Sequence, residues 1–239
     1  MSMKQLFFFL LAGLSGLGGW AQQTIVHDPN AVERPVKGFH GIDVGSAVDL
    51  YLSQGDVEKV VVSARDPKVR DRIVTEVVDG ILRIRLEGKH FNMGNNKLKA
   101  YVSFTALDQL IISGASNVYV DGVISAGKLS MNLSGASDFK GAIRVGELSL
   151  DQSGASDAHI TGVVEGLAVI RLSGASDIKG YDLKVEKCDV VVSGASDARI
   201  TVNKELKADA SGASSVYYKG EGVISEVRSS GASTVKKSS

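Results

Sequence analysis

Ser173-Gly-Ala-Ser-Asp-Ile-Lys179 is one of seven similar stretches. Ser-Gly-Ala-Ser begins at Ser113, Ser134, Ser153, Ser173, Ser193, Ser211 and Ser230, at intervals of 21, 19, 20, 20, 18 and 19 residues. A period near 20 marks a stacked architecture. The residues before each glycine say which kind. Two before it stand Ile112, Leu133, Gln152, Leu172, Val192, Ala210 and Ser229. Four before it stand Leu110, Met131, Leu150, Ile170, Val190, Ala208 and Val227, and six before it Asp108, Leu129, Leu148, Ala168, Cys188, Leu206 and Ser225. The residues between are mostly polar, such as Asn132, Asp151, Arg171 and Lys207. That is the two-residue period of a strand with one face buried, and helical spacing is absent. The consensus and the helical half of a leucine-rich repeat are missing.

Each repeat then turns at Gly-Ala-Ser. Glycine accepts the positive φ of a tight corner, and the recurring alanine is expected to point into a cramped space. Apolar residues return four after the glycine, at Val118, Phe139, Ala158, Ile178, Ala198, Val216 and Val235. This predicts a second strand on another side of a coil, with Gly122, Gly141, Gly162, Gly180 and Gly220 marking a further bend. The expected fold is all-β: a single-stranded parallel β-helix, or β-solenoid, with rungs of about 20 residues. Proline is absent after Pro67, as a hydrogen-bonded ladder requires. The core thins toward the end, where Ala208, Ala210, Ser225 and Ser229 replace larger residues, and Lys236-Lys237 is expected to guard an open sheet edge.

Outward from the repeats, residues 38–112 keep the alternation without the motif: Ile42, Val44, Val48, Leu50, Leu52, Val60 and Val62, then Ile73, Val77, Ile81, Ile84 and Leu86. They read as degenerate rungs forming an N-terminal cap to the seven-repeat solenoid of 113–239, with a separate small β-domain as the alternative. Residues 66–74 suggest a short helical turn or irregular corner, and 88–97 a polar loop. Residues 22–37 read as an extended leader. Residues 1–21 have a basic start, an apolar run from Leu6 to Leu17 and small residues at Gly19 and Ala21, the pattern of a secretory signal peptide. The run is shorter than the roughly 20 residues that span a bilayer, and cleavage is expected after Ala21. An uncleaved anchor is the alternative. No transmembrane segment is expected in the mature chain, which would act in the periplasm, on the outer surface or outside the cell.

At this point a family resemblance emerges. Phe39-His-Gly-Ile-Asp-Val-Gly, Val48-Asp-Leu-Tyr-Leu-Ser-Gln-Gly, Asp79-Gly-Ile-Leu-Arg-Ile and Leu110-Ile-Ile-Ser-Gly-Ala-Ser resemble the head GIN domain family, the auto-transporter adhesin head domains, over about residues 38–235. The resemblance implies a secreted or envelope β-helix and transfers no catalytic residue.

Composition limits the function. The chain of 239 residues carries 27 Lys plus Arg against 27 Asp plus Glu, so no long-range field attracts nucleic acid. A single cysteine excludes an internal disulfide framework. The candidate site is a surface strip. Three after each glycine come Asn117, Asp138, Asp157, Asp177, Asp197, Ser215 and Thr234, and five after it Tyr119, Lys140, His159, Lys179, Arg199, Tyr217 and Lys236. Both sets should face outward as an acidic stripe beside a basic and aromatic one. The aspartates are expected to close Asx-type turns and pair with neighbouring cations. A linear binding strip for a glycan or envelope protein is the functional reading, and a calcium site is a further alternative. No catalytic residue, metal site or cofactor is expected. The four histidines lack ligand spacing, Cys188 lies in an inward column, and no Gly-x-Ser-x-Gly elbow occurs. The leading expectation is a non-enzymatic module of adhesion or binding type. A polysaccharide lyase or hydrolase is the second, and a structural spacer that oligomerises by end stacking is the third.

Overall fold

The computed structural model describes residues 28–88 and 96–238. The signal-peptide reading, residues 22–27 of the leader and most of the polar loop lie outside the described residues. The chain begins with β1 (Val32–Arg34), β2 (Gly41–Val44), β3 (Val48–Gln54) and β4 (Lys59–Ser63). A short helix, α1 (Pro67–Arg70), follows, with the Asp66 carboxylate accepting from the Lys68 backbone N–H as its N-cap. Then come β5 (Ile73–Val78), β6 (Ile81–Leu86), β7 (Leu98–Phe104) and β8 (Gln109–Ile112). The repeats form five long, bent strands: β9 (Asn117–Leu133), β10 (Asp138–Gln152), β11 (Asp157–Leu172), β12 (Asp177–Val192) and β13 (Asp197–Ala210). The chain closes with β14 (Ser215–Lys219), β15 (Val223–Ser229) and β16 (Thr234–Lys237).

From β9 to β16 every pairing is parallel and joins equivalent positions of successive repeats, such as Asp157↔Asp177↔Asp197. The seven corners therefore stand in single file and bound about six turns of a β-solenoid with rungs near 20 residues. Register shifts at Lys140/Ala142 and again at Val145/Leu148 mark two bends within each long strand. The second bend carries its own stacked glycines, because a Cβ on Gly146 or Gly166 would lie 2.6 or 2.7 Å from the carbonyl oxygen of the preceding rung's glycine.

The Ser-Gly-Ala-Ser corner is built from three contacts. Its glycine holds φ between +72° and +80° in all seven copies, a region that side chains disfavour. The following alanine donates its N–H to the glycine carbonyl one turn earlier, at 2.8 Å for Ala155, Ala195 and Ala213, so the ladder runs on through the corner. The second serine is fully buried at Ser116, Ser137, Ser156, Ser176, Ser196 and Ser214. Its Oγ donates to the carbonyl of the first serine, at 3.1 Å for Ser156, 2.9 Å for Ser176 and 2.8 Å for Ser214. The inward small residue is thus the second serine, and the alanine expected there is exposed. The physical reason is the turn itself. Its backbone groups need a hydrogen-bonding side chain inside, which alanine cannot supply.

The predicted inward columns fill the axis. Ile112, Leu133, Leu172, Val192, Leu110, Met131, Leu150, Ile170, Val190, Leu129, Leu148 and Leu206 are buried, as are Val118 through Val216 on the second side. The columns fail at both ends. Asp108 faces solvent and pairs with His40 Nδ1 at 2.8 Å. Every residue of β15 is exposed, including Val223 and Val227 at 71% and 44%, because among the described residues β13 is its sole strand partner. At the N-terminal end, β2 and β3 join the stack in parallel, but antiparallel strands cover it: β4 on β7, β1 on β4 and β5 on β6. The N-terminal cap thus adds antiparallel strands to the parallel stack.

Candidate functional site

The two stripes read from the repeats form two straight files. The first runs Lys99–Asp49–Asn117–Asp138–Asp157–Asp177–Asp197–Ser215–Thr234 by strand register and hydrogen bonding. The second runs Tyr101–Tyr51–Tyr119–Lys140–His159–Lys179–Arg199–Tyr217–Lys236. Parallel strands set neighbours about 4.8 Å apart, so the second file extends for roughly 38 Å. All ten candidate residues lie in these files. Lys140, His159, Lys179, Tyr119 and Asp138 are exposed, while Asp157, Asp177, Asp197, Arg199 and Tyr217 are half-buried.

Tyr51 and Tyr101 were not among the candidates, yet they extend the second file past the repeats. Tyr51 stacks on Tyr101 at 5.0 Å between ring centroids and on Tyr119 at 5.3 Å. The signal that could have found them is the local pattern: Asp49-Leu-Tyr51 and Lys99-Ala-Tyr101 repeat the polar–apolar–aromatic order of Asn117-Val-Tyr119. Burial pushes the Tyr101 phenol up to about 12, with the Asp28 and Tyr51 charges adding to it. Burial also raises Tyr51, followed by the charges of Asp49 and Tyr119. The rings face one another along the axis, so their faces are largely occupied and the file offers mainly edges and hydroxyls.

Charge relief in the acidic file is direct. Asp177 Oδ1 accepts from the Asp197 backbone N–H at 3.1 Å. Lys179 Nζ lies 3.5 Å from Asp157 and Arg199 lies 3.0 Å from Asp197, and the Arg199 guanidinium sits 5.6 Å from the Tyr217 ring centroid. Two unit charges one rung apart in water repel by about 0.9 kcal/mol, a cost these contacts offset. The aspartates do not close the turns as expected. Among the described residues none of the four bonds within its own corner, since the buried serine already holds that place. Asp138 and Lys140 have no ion-pair partner among the described residues, so both remain available to a ligand.

Elsewhere the surface is shallow. Among the described cavities the largest, about 440 Å³, is an open groove lined by Asp28, Asn30, Ser63, Arg65, Lys97 and Lys99. Another of about 190 Å³ brings Asp189, Asp209 and Glu226 beside Lys207 and Arg228, but Arg228 is bonded to Glu226 at 2.7 Å. Among the described residues no three His, Cys, Asp or Glu side chains converge as a metal site would need. Cys188 is buried in the core, and burial, reinforced by the Asp189 charge, raises its thiol far above the ordinary range, which leaves it unreactive.

Comparison with known proteins bears on the family and the fold. The family model described as "Putative auto-transporter adhesin, head GIN domain" matches residues 38–222. The chain belongs to that family. Among solved structures, a putative adhesin from Bacteroides fragilis superimposes with a TM-score of 0.81 at 19% identity, covering 87% of this chain and 96% of that one. A putative adhesin from Parabacteroides merdae gives 0.63 at 17% identity, covering 87% and 95%. A structure from Parabacteroides distasonis called a putative lipid binding protein gives 0.64 at 19% identity, covering 86% and 96%. At these identities the likeness is one of fold. No curated protein matches the chain. Among the described residues no helix is long and apolar enough to cross a membrane.

Proposed function

We propose that this head GIN domain protein is a non-enzymatic binding module, exported to the cell envelope or surface. Its ligand is a repeating extracellular polymer, a glycan or an envelope protein, read along Lys140, His159, Lys179 and Arg199. The observation that carries this reading is the register. Four basic positions on successive rungs stand in one outward-facing file at the strand spacing, beside a matching file of four aspartates. A ladder offers the same chemistry on each turn, which suits a partner that repeats and not one reacting bond. Hydrolysis or elimination needs one distinctive pair of groups converging in a cleft, and the open grooves favour binding over such chemistry. The adhesin description of the family supports the same reading, and with it a surface or envelope location.

The test is co-sedimentation with isolated envelope polysaccharide and with whole envelope fractions. Lys140→Glu, Lys179→Glu and Arg199→Glu combined should weaken binding by about tenfold or more, since like charges then line the strip. Circular dichroism checks that the variant is folded. Undiminished binding by the folded variant rejects the strip. Release of reducing ends or unsaturated sugars from the same polymers would reject the non-enzymatic reading.

A further inference from the structure

The two ends of the solenoid differ. Antiparallel strands cover the N-terminal end, whereas β15 and β16 each have a strand partner on one edge only among the described residues. The free edge of β16 carries Lys236 and Lys237, a charge pair of the kind that keeps edges apart. β15 carries charges of opposite sign instead, Glu226 and Arg228, after a register shift against β13 at Ser225. It is a wholly exposed strand, and its last five residues are Ser225-Glu226-Val227-Arg228-Ser229.

That segment is self-complementary. Turned through 180° and paired antiparallel with a copy of itself about Val227, its regular stretch Glu226-Val-Arg228 sets Glu226 opposite Arg228 and Arg228 opposite Glu226. Directly opposed side chains on an antiparallel pair lie about 4.5–5.5 Å apart, within reach of an ion pair. Glu226 and Arg228 already share one face, since they bond to each other at 2.7 Å. Val227 alternates with them onto the axial side, in register with the core residue Ala208. The same operation would place the two Val227 side chains against each other, extending the apolar columns of both molecules. Unpaired backbone N–H and C=O groups along the strand supply the ladder.

We infer that two copies of the chain associate tail to tail through β15, in an isologous contact of two-fold symmetry. The occupant is a second copy because the charge order is complementary to its own reversal. The resulting dimer would carry two strips on one continuous stack, doubling the valency available to a repeating ligand.

Sedimentation velocity of the purified chain over a range of about 1–100 µM tests this, spanning the affinities common for modest interfaces. A concentration-dependent monomer–dimer equilibrium is expected. Glu226→Lys alone and Arg228→Glu alone should each weaken the dimer by about tenfold or more, because each sets two like-charged pairs across the contact. An equimolar mixture of these two variants should dimerise again, as should the double variant Glu226→Arg with Arg228→Glu. A monomer at every concentration overturns the proposal. So does a dimer indifferent to the single reversals, or a mass series beyond the dimer, which would indicate head-to-tail growth.

Discussion

Replacing Gly194 by alanine at an internal corner should destabilise the protein by about 2–5 kcal/mol, far more than the addition of one methyl group suggests. Two effects combine. Gly194 holds φ at +77°, where an L side chain costs about 1–2 kcal/mol. The new Cβ would also lie 2.5 Å from the Gly174 carbonyl oxygen and 3.1 Å from its nitrogen. These are backbone atoms held in a ladder, so relief requires parting the rungs. That strains the bond from Ala195 N to Gly174 O and the one from Ala213 N to Gly194 O, both 2.8 Å, each worth about 0.5–1.5 kcal/mol. At the last corner the balance changes. Gly231 has φ of +72° and a Cβ position 2.9 Å from the Gly212 oxygen, but among the described residues no rung stacks above it. Gly231→Ala should cost mainly the conformational part, about 1–2 kcal/mol. Ala195→Ser, at an exposed position, should change stability by less than about 0.5 kcal/mol. Urea unfolding followed by circular dichroism gives all three. If Gly194→Ala unfolds within about 1 kcal/mol of the parent, or costs no more than Gly231→Ala, steric locking of the file is wrong.

Two further outcomes follow from the buried polar groups. Ser176→Ala removes the Oγ bond to the Ser173 carbonyl at 2.9 Å and should cost about 1–2 kcal/mol; Ser176→Leu should cost more by overpacking a fully buried site, and equal unfolding midpoints for parent and Ser176→Ala would contradict the serine's role. Stability should also fall in alkali. Tyr101 ionises near pH 12 in the folded chain against an ordinary value of 10.0, so its contribution is complete below pH 10 and is lost as pH rises toward 12, where only the unfolded tyrosine has released its proton. Tyr51 and Cys188 shift in the same direction, so Tyr101→Phe should make the alkaline decline shallower without abolishing it; an identical slope in the variant would refute the assignment.

The repeated glycine made the stack legible, because a period of 20 with two-residue alternation admits few other folds. The inward columns from Leu129 to Leu206 could be named from their spacing alone. The corner was less legible. Ala and Ser are both small, and only the distribution of backbone hydrogen bonds shows that Ser176 turns inward while Ala175 faces water. The antiparallel cap was hidden for a different reason: β4 and β5 are short, valine-rich runs that could serve as rungs, and composition does not carry strand direction. The two surface files were half visible. Asp138 through Asp197 and Lys140 through Arg199 could be aligned by counting from each glycine. Tyr51 and Tyr101 lie before the first motif, so their place depended on pairings between distant segments. The charge symmetry about Val227 could be read in the chain, but it meant nothing until β15 proved to be an edge.

From Asn117 and Tyr119 onward, each residue in the files meets its counterpart 18–21 residues later, as with Asn117 and Asp138 or Asp197 and Ser215. Closing a loop of that size costs on the order of 2.7 kcal/mol in chain entropy before any constant is added. The penalty is the same for every winding, whether third or thirtieth. The molecule can therefore grow longer without its chain having to search farther for a neighbour, and reach is decoupled from folding difficulty.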